Sequence, residues 1–72
     1  MTDVKVGSFV VVRHEDDRQF GAAQTKEDAL EAARDLIREG VGSLFDVYEI
    51  DVPIARWRHV ELVTAQDPEL QP

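Results

Sequence analysis

Only one stretch of this chain carries the three- to four-residue apolar spacing of a helix. Two pairs of segments with alternating apolar residues flank it. One helix and four strands can share a core only if the helix lies across one face of the sheet. The helical stretch is well punctuated. Thr25 fits the N-cap, and Asp28 follows at the third helical position, a capping box with Asp in place of the usual Glu. Glu27 and Asp28 sit where the helix dipole favours negative charge. Ala29, Leu30, Ala33, Leu36 and Ile37 form one buried stripe. Arg38 falls in the last turn, and Gly40 is placed to take the left-handed conformation just past the end. The small alanines in the stripe predict close packing against a sheet.

The flanking segments read as strands. Val4 to His14 carries Val4, Val6, Val10 and Val12 on one parity and Phe9 and Val11 on the other. A strand apolar on both faces belongs in the middle of its sheet. Glu15-Asp16-Asp17-Arg18 has the composition and length of a hairpin loop. Gln19 to Gln24 returns as a short edge strand, because Gly21, Ala22 and Ala23 offer little to pack. Leu44 to Val52 is a third strand, ended by Pro53. Trp57 to Thr64 is a fourth, with Val60 and Leu62 on one parity and Trp57, His59 and Val63 on the other. The expected fold class is α+β. The order is β-β-α-β-β, with a mainly antiparallel four-stranded sheet of spatial order 2-1-3-4 and one helix on one face. The other face is left for solvent or a partner. Residues 1–66 form one domain, and 67–72 are expected to be a flexible acidic tail containing proline.

Charge bounds the partners. Fifteen acidic residues against eight basic ones give a formal net charge of −7. Such a surface repels nucleic acid and anionic membranes and attracts basic proteins. The bland alternative is that the acid excess serves only solubility, as in proteins of salt-loving hosts. Cysteine is absent, so no disulfide or thiolate–metal site supplements the core. No apolar run approaches the roughly 20 residues of a membrane span. The N-terminus lacks the pattern of a signal peptide. The expected compartment is the cytoplasm, the host cytoplasm for a viral protein.

Chemistry-bearing residues are scattered. Glu15, Asp16 and Asp17 are explained by turn geometry, and nothing marks them or Glu49 and Asp51 as a catalytic pair. His14 and His59 lack metal-ligand spacing and could meet only through tertiary folding. Ser8, Ser43, Thr25 and Thr64 lie in no nucleophile elbow. Gly40 and Gly42 do not precede a helix, so they form no phosphate loop of the usual kind. The reading is therefore of a protein that is not an enzyme and uses no cofactor or metal.

Two surfaces stand out instead. Asp28, Glu31, Asp35 and Glu39 align as an acidic ridge on the outer helix face, and Glu15, Asp16 and Asp17 add to it. Arg56, Trp57 and Arg58, with Phe45 and Tyr48, supply the residue types that dominate protein–protein hot spots. The bland alternatives are a solvated helix face and arginines paired across strands to Glu49, Asp51 or Glu61. In fold pattern and charge alone, the chain resembles small phage-encoded inhibitors of host defence or transcription. No motif carries that likeness, and it assigns no residues. The functional expectation is an acidic binding protein that docks on a basic surface of a larger protein and blocks it. Acting as a nucleic-acid mimic in an anti-CRISPR-like manner is one form of this. The alternative is a self-associating accessory module, a homodimer through the open sheet face.

Overall fold

The computed structural model describes residues 8–51 and 56–70. The expected beginning of the first strand, Val4 to Gly7, lies outside them, as do Val52, Pro53 and residues 71–72. The chain runs β1 (Ser8–Arg13), β2 (Arg18–Ala23), α1 (Lys26–Arg38), β3 (Leu44–Asp51), β4 (Arg56–Thr64) and a 3₁₀ turn (Pro68–Leu70). The strands form one sheet of order β2-β1-β3-β4, and every neighbouring pair is antiparallel. The fold class and strand order match the sequence expectation. β1 is central because both its faces are apolar: Val10, Val11 and Val12 are all buried.

The helix forms where its signals lie. Thr25 Oγ1 accepts the Asp28 amide hydrogen at 3.1 Å. At the other end Gly40 takes φ +80°, its amide donates to the Ile37 carbonyl, and the Val41 amide donates to the Leu36 carbonyl. This pair of reversed bonds closes the helix and turns the chain toward β3. Ala29, Leu30 and Ala33 face the sheet, and with Val11, Phe45, Val47 and Val63 they make the core. Phe20 meets Phe45 edge-to-face at 6.0 Å.

Two β-bulges set which side chains face which way. One interrupts the β1–β2 register, so that Val11 opposes Gly21 and Val12 opposes Gln19. Phe20 is the extra residue, and it packs on the helix side. The other lies in β4, where Val47 opposes Glu61 and Tyr48 opposes His59, with Val60 extra. Simple alternation places Leu62 opposite in parity to Trp57 and His59. The β4 bulge reverses this, because an inserted residue shifts every side chain beyond it to the other face. Leu62 therefore joins Trp57 and His59 on the face away from the helix.

Of the expected tail, residues 67–70 lie within the described residues. They turn back along the helix, where the Arg34 guanidinium meets the Asp67 carboxylate at 3.4 Å, with both side chains largely buried. Asp67 also accepts the Glu69 amide hydrogen at 2.8 Å. The polar composition that reads as a tail supplies the groups that dock it. Among the described residues no helix is long and apolar enough to cross a membrane.

Candidate functional site: the uncovered sheet face

The helix covers one face of the sheet. On the other, β1 contributes Val10 and Val12, β3 contributes Leu44, Asp46, Tyr48 and Ile50, and β4 contributes Trp57, His59, Leu62 and Thr64. Val10 and Val12 are buried, at 3% and 4% exposure. Trp57, Leu62 and Leu44 are open to solvent at 47%, 43% and 37%.

The centre of this face is a polar cluster that the sequence left dispersed. Asp46 is only 5% exposed, the one buried charged residue among those described. Its two oxygens are both used. Oδ2 lies 2.7 Å from His14 Nδ1, and Oδ1 lies 2.8 Å from His59 Nε2. The histidines come from opposite sides of β3: one just beyond the end of β1, the other in the middle of β4. Both rings are about half exposed. Asp46 holds the His14 imidazole above its ordinary pKa, first by the hydrogen bond and then by charge. For Asp46 itself, burial opposes ionisation, but the two imidazoles outweigh it and leave the carboxyl below its ordinary value.

Two bonds to one carboxylate orient both rings, and among the described residues neither second ring nitrogen has a hydrogen-bond partner. An imidazole oriented in this way can accept a proton. Among the described residues neither ring bonds to a hydroxyl or thiol that it could activate. Nor do the described residues contain a group of three or more ligands arranged to hold a metal ion. Asp16, which the sequence places near His14, turns instead to Arg13. Both of its oxygens accept guanidinium N–H groups, at 2.7 and 3.0 Å. That pairing holds the Asp16 carboxyl down at about 2.

Beside the histidines, Tyr48 stands edge-on to His59 at 5.3 Å and tilted at 57° to Trp57 at 5.6 Å. Next to the Tyr48–Trp57 pair is an open depression of about 370 Å³, lined by Val12, Asp17, Gln19, Tyr48 and Trp57. Desolvation raises the Tyr48 phenol above its usual pKa, and the charges of Asp46 and Asp17 raise it further. It is a neutral donor at any physiological pH.

The structure divides the residues singled out from sequence. Tyr48 and Trp57 share the uncovered face. Phe45 is fully buried beneath the helix, so it belongs to the core and cannot contact a partner. Alternation puts Arg56 and Arg58 on the opposite side from Trp57, and Arg58 pairs across the strands with Glu49. The local run of basic and aromatic residues is therefore not one surface. Asp28, Glu31, Asp35 and Glu39 are all exposed on the helix, on the far side of the molecule from Trp57. Glu15, Asp16 and Asp17 lie at the end of the sheet, and of the seven acids only Asp17 reaches the aromatic depression.

Sequence reading missed Asp46, His14 and His59 as a unit. The available signal was an acid on the same parity as Leu44, Tyr48 and Ile50 of its strand, since a carboxylate set among apolar neighbours needs a polar partner. Comparison with protein-family models, curated proteins and solved structures finds no match.

Proposed function

We propose that this chain is a non-enzymatic binding module that docks, through its uncovered sheet face, on a basic surface of a larger protein. The observation that carries this reading is the combination on one face of exposed Trp57 and Leu62 with Tyr48, in a body with net charge −7. Aromatic side chains in a partly desolvated setting are the usual anchors of interfaces. The surrounding charge selects the sign of the partner and speeds encounter more than it adds affinity.

The helix ridge serves the second purpose. The molecule measures 43 × 22 × 17 Å, and its helix and open face lie on opposite sides. The Debye length is about 8 Å at physiological ionic strength, so the ridge acts on an approaching partner and little on a docked one. The arrangement gives less support to mimicry of nucleic acid. From Asp28 to Glu39 the ridge spans roughly 16 Å and holds four carboxylates, against one charge per about 3.4 Å on a DNA strand. Arg34 lies 3.7 Å from Glu31 and Arg38 lies 2.7 Å from Asp35, which offsets two of the four. Docking on a basic channel would still block it, as a phage-type inhibitor does, in the cytoplasm where such a channel works.

The test uses the immobilised chain with lysate of its source organism, followed by kinetics on the purified partner. Association should slow with added salt and with Glu31→Lys/Asp35→Lys. Trp57→Ala should instead speed dissociation, weakening binding by roughly thirtyfold or more if Trp57 is a hot spot. A partner whose association ignores both salt and the ridge reversal overturns the reading. So does sedimentation as a dimer with the Trp57 face covered by a second copy.

A further inference from the structure

We propose that the depression lined by Val12, Asp17, Gln19, Tyr48 and Trp57 is an anchor site for an arginine side chain of the protein partner. Its guanidinium would lie against the Tyr48–Trp57 pair, with the Asp17 carboxylate as counter-charge. This rests on the reading above that the partner is basic, and it names the chemistry by which that partner is held.

Three observations converge on a cation. The walls are two aromatic rings with centroids 5.6 Å apart and tilted at 57°, so they present π-faces and edges rather than a closed stack. A flat cation lies favourably over such faces. The floor is Val12, 4% exposed, which can take the methylene stem of a long side chain. The polar groups at the rim are Asp17, Gln19 and the neutral Tyr48 phenol. Among the described residues no cation lines the depression, so an anionic ligand would meet the Asp17 carboxylate with none of them to offset it.

Asp17 is available for this role. Its neighbour Asp16 is held by Arg13, whereas Asp17 forms no ion pair with any described residue. Asp17 is itself the turn residue at φ +57°. At about 370 Å³ the depression is at the small end of the roughly 300–1,000 Å³ typical of ligand pockets. That suits one long side chain. Arginine fits better than lysine because a planar guanidinium can stack on a ring and fork onto a carboxylate at once.

The probes are four capped tripeptides, acetyl-Gly-X-Gly-amide, with X as arginine, lysine, citrulline or glutamate. Trp57 is the only tryptophan of the chain, so its fluorescence reports this site alone. Amide shifts of Val12 and Gln19 give a second readout that survives changes at Trp57. The arginine peptide should saturate with a Kd of about 1–20 mM, the range for one side chain. Citrulline, the same shape without charge, should bind about tenfold more weakly. Glutamate should not bind.

Asp17→Asn keeps a residue that tolerates positive φ, and it should weaken arginine binding by about tenfold. Asp28→Asn makes the same change in net charge on the far side and should leave the Kd within about twofold. Equal loss in both variants would mean that the field and not the site holds the peptide, and would overturn the proposal. Citrulline binding as well as arginine would overturn it as a cation site, and lysine binding more tightly would overturn the choice of guanidinium. If no peptide shifts Trp57 while a basic protein is still captured in a salt-dependent way, the anchor site fails and the broader reading stands. Loss of that capture sinks the broader reading instead.

Discussion

Asp46 offers a sharp test of how this sheet is held together. Each oxygen of its buried carboxylate meets a different imidazole, at 2.7 and 2.8 Å. A hydrogen bond to a charged group contributes about 1.5–3 kcal/mol, but here each imidazole is half exposed and water can replace the lost partner. Halving the contribution gives about 1 kcal/mol per bond, so Asp46→Ala should cost about 2 kcal/mol. For a domain of this size that lowers Tm by roughly 8–16 °C. Asp46→Asn keeps the shape and can keep one or both bonds to neutral rings, so it isolates the charge. The pH dependence follows from direction. His14 has a raised folded pKa, so its contribution is complete below the unfolded value of about 6.5 and is lost as pH rises through the folded value. Asp46 has a lowered one, so its contribution is present above about 3.9 and lost as pH falls through its folded value. Stability from this cluster should therefore be greatest between about pH 4 and 6.5, and Asp46→Asn should flatten the fall on the alkaline side. Thermal unfolding followed by far-UV circular dichroism from pH 4 to 9 measures both. Wild-type and Asp46→Asn curves that run parallel from pH 5.5 to 8 would refute the reasoning.

Other expectations concern the frame of the site. Thr25→Ala removes the acceptor of the Asp28 amide and should cost about 1 kcal/mol in urea unfolding, while Thr25→Ser should cost little. Gly42→Ala should destabilise by about 1–3 kcal/mol, because a Cβ there would lie 2.9 Å from Arg13 Cδ and 3.1 Å from the buried Phe45 ring. Arg34→Ala should release the 3₁₀ turn, seen as faster amide exchange at Glu69 and Leu70 with little change in exchange of the β1 and β3 core.

Much of this architecture was legible because several local signals agreed. Thr25, the Ala29–Leu30–Ala33 stripe and Gly40 each mark the same helix, and a doubly apolar first strand has only one sensible place in a four-stranded sheet. The bulges were not legible. Val60 and Phe20 look like ordinary members of alternating strands, and nothing local announces that either is an extra residue. Yet the β4 bulge decides that Leu62 shares a face with Trp57. The His14–Asp46–His59 cluster was illegible for a related reason. It joins residues separated by 32 and 13 positions, through the register of three strands. The Arg56-Trp57-Arg58 run erred in the other direction. Proximity in sequence suggested one patch, and strand alternation sends its members to opposite faces.

That separation of faces changes how the acidity acts. Four of the seven acids that look like a recognition surface sit on the helix, where Arg34 and Arg38 already engage two of them. The aromatic residues able to anchor a partner sit on the other side of the sheet, with Asp17 alone among the seven acids at their edge. Under the proposed docking, charge and contact area belong to different stages of binding. Removing a helix carboxylate should change how fast a basic partner arrives and leave its dwell time nearly intact, while changing Trp57 or Asp17 should do the reverse. A chain that recognised its partner by the helix ridge would lose both rates together when the ridge is reversed. The rate constants, more than the affinity, discriminate between the two faces.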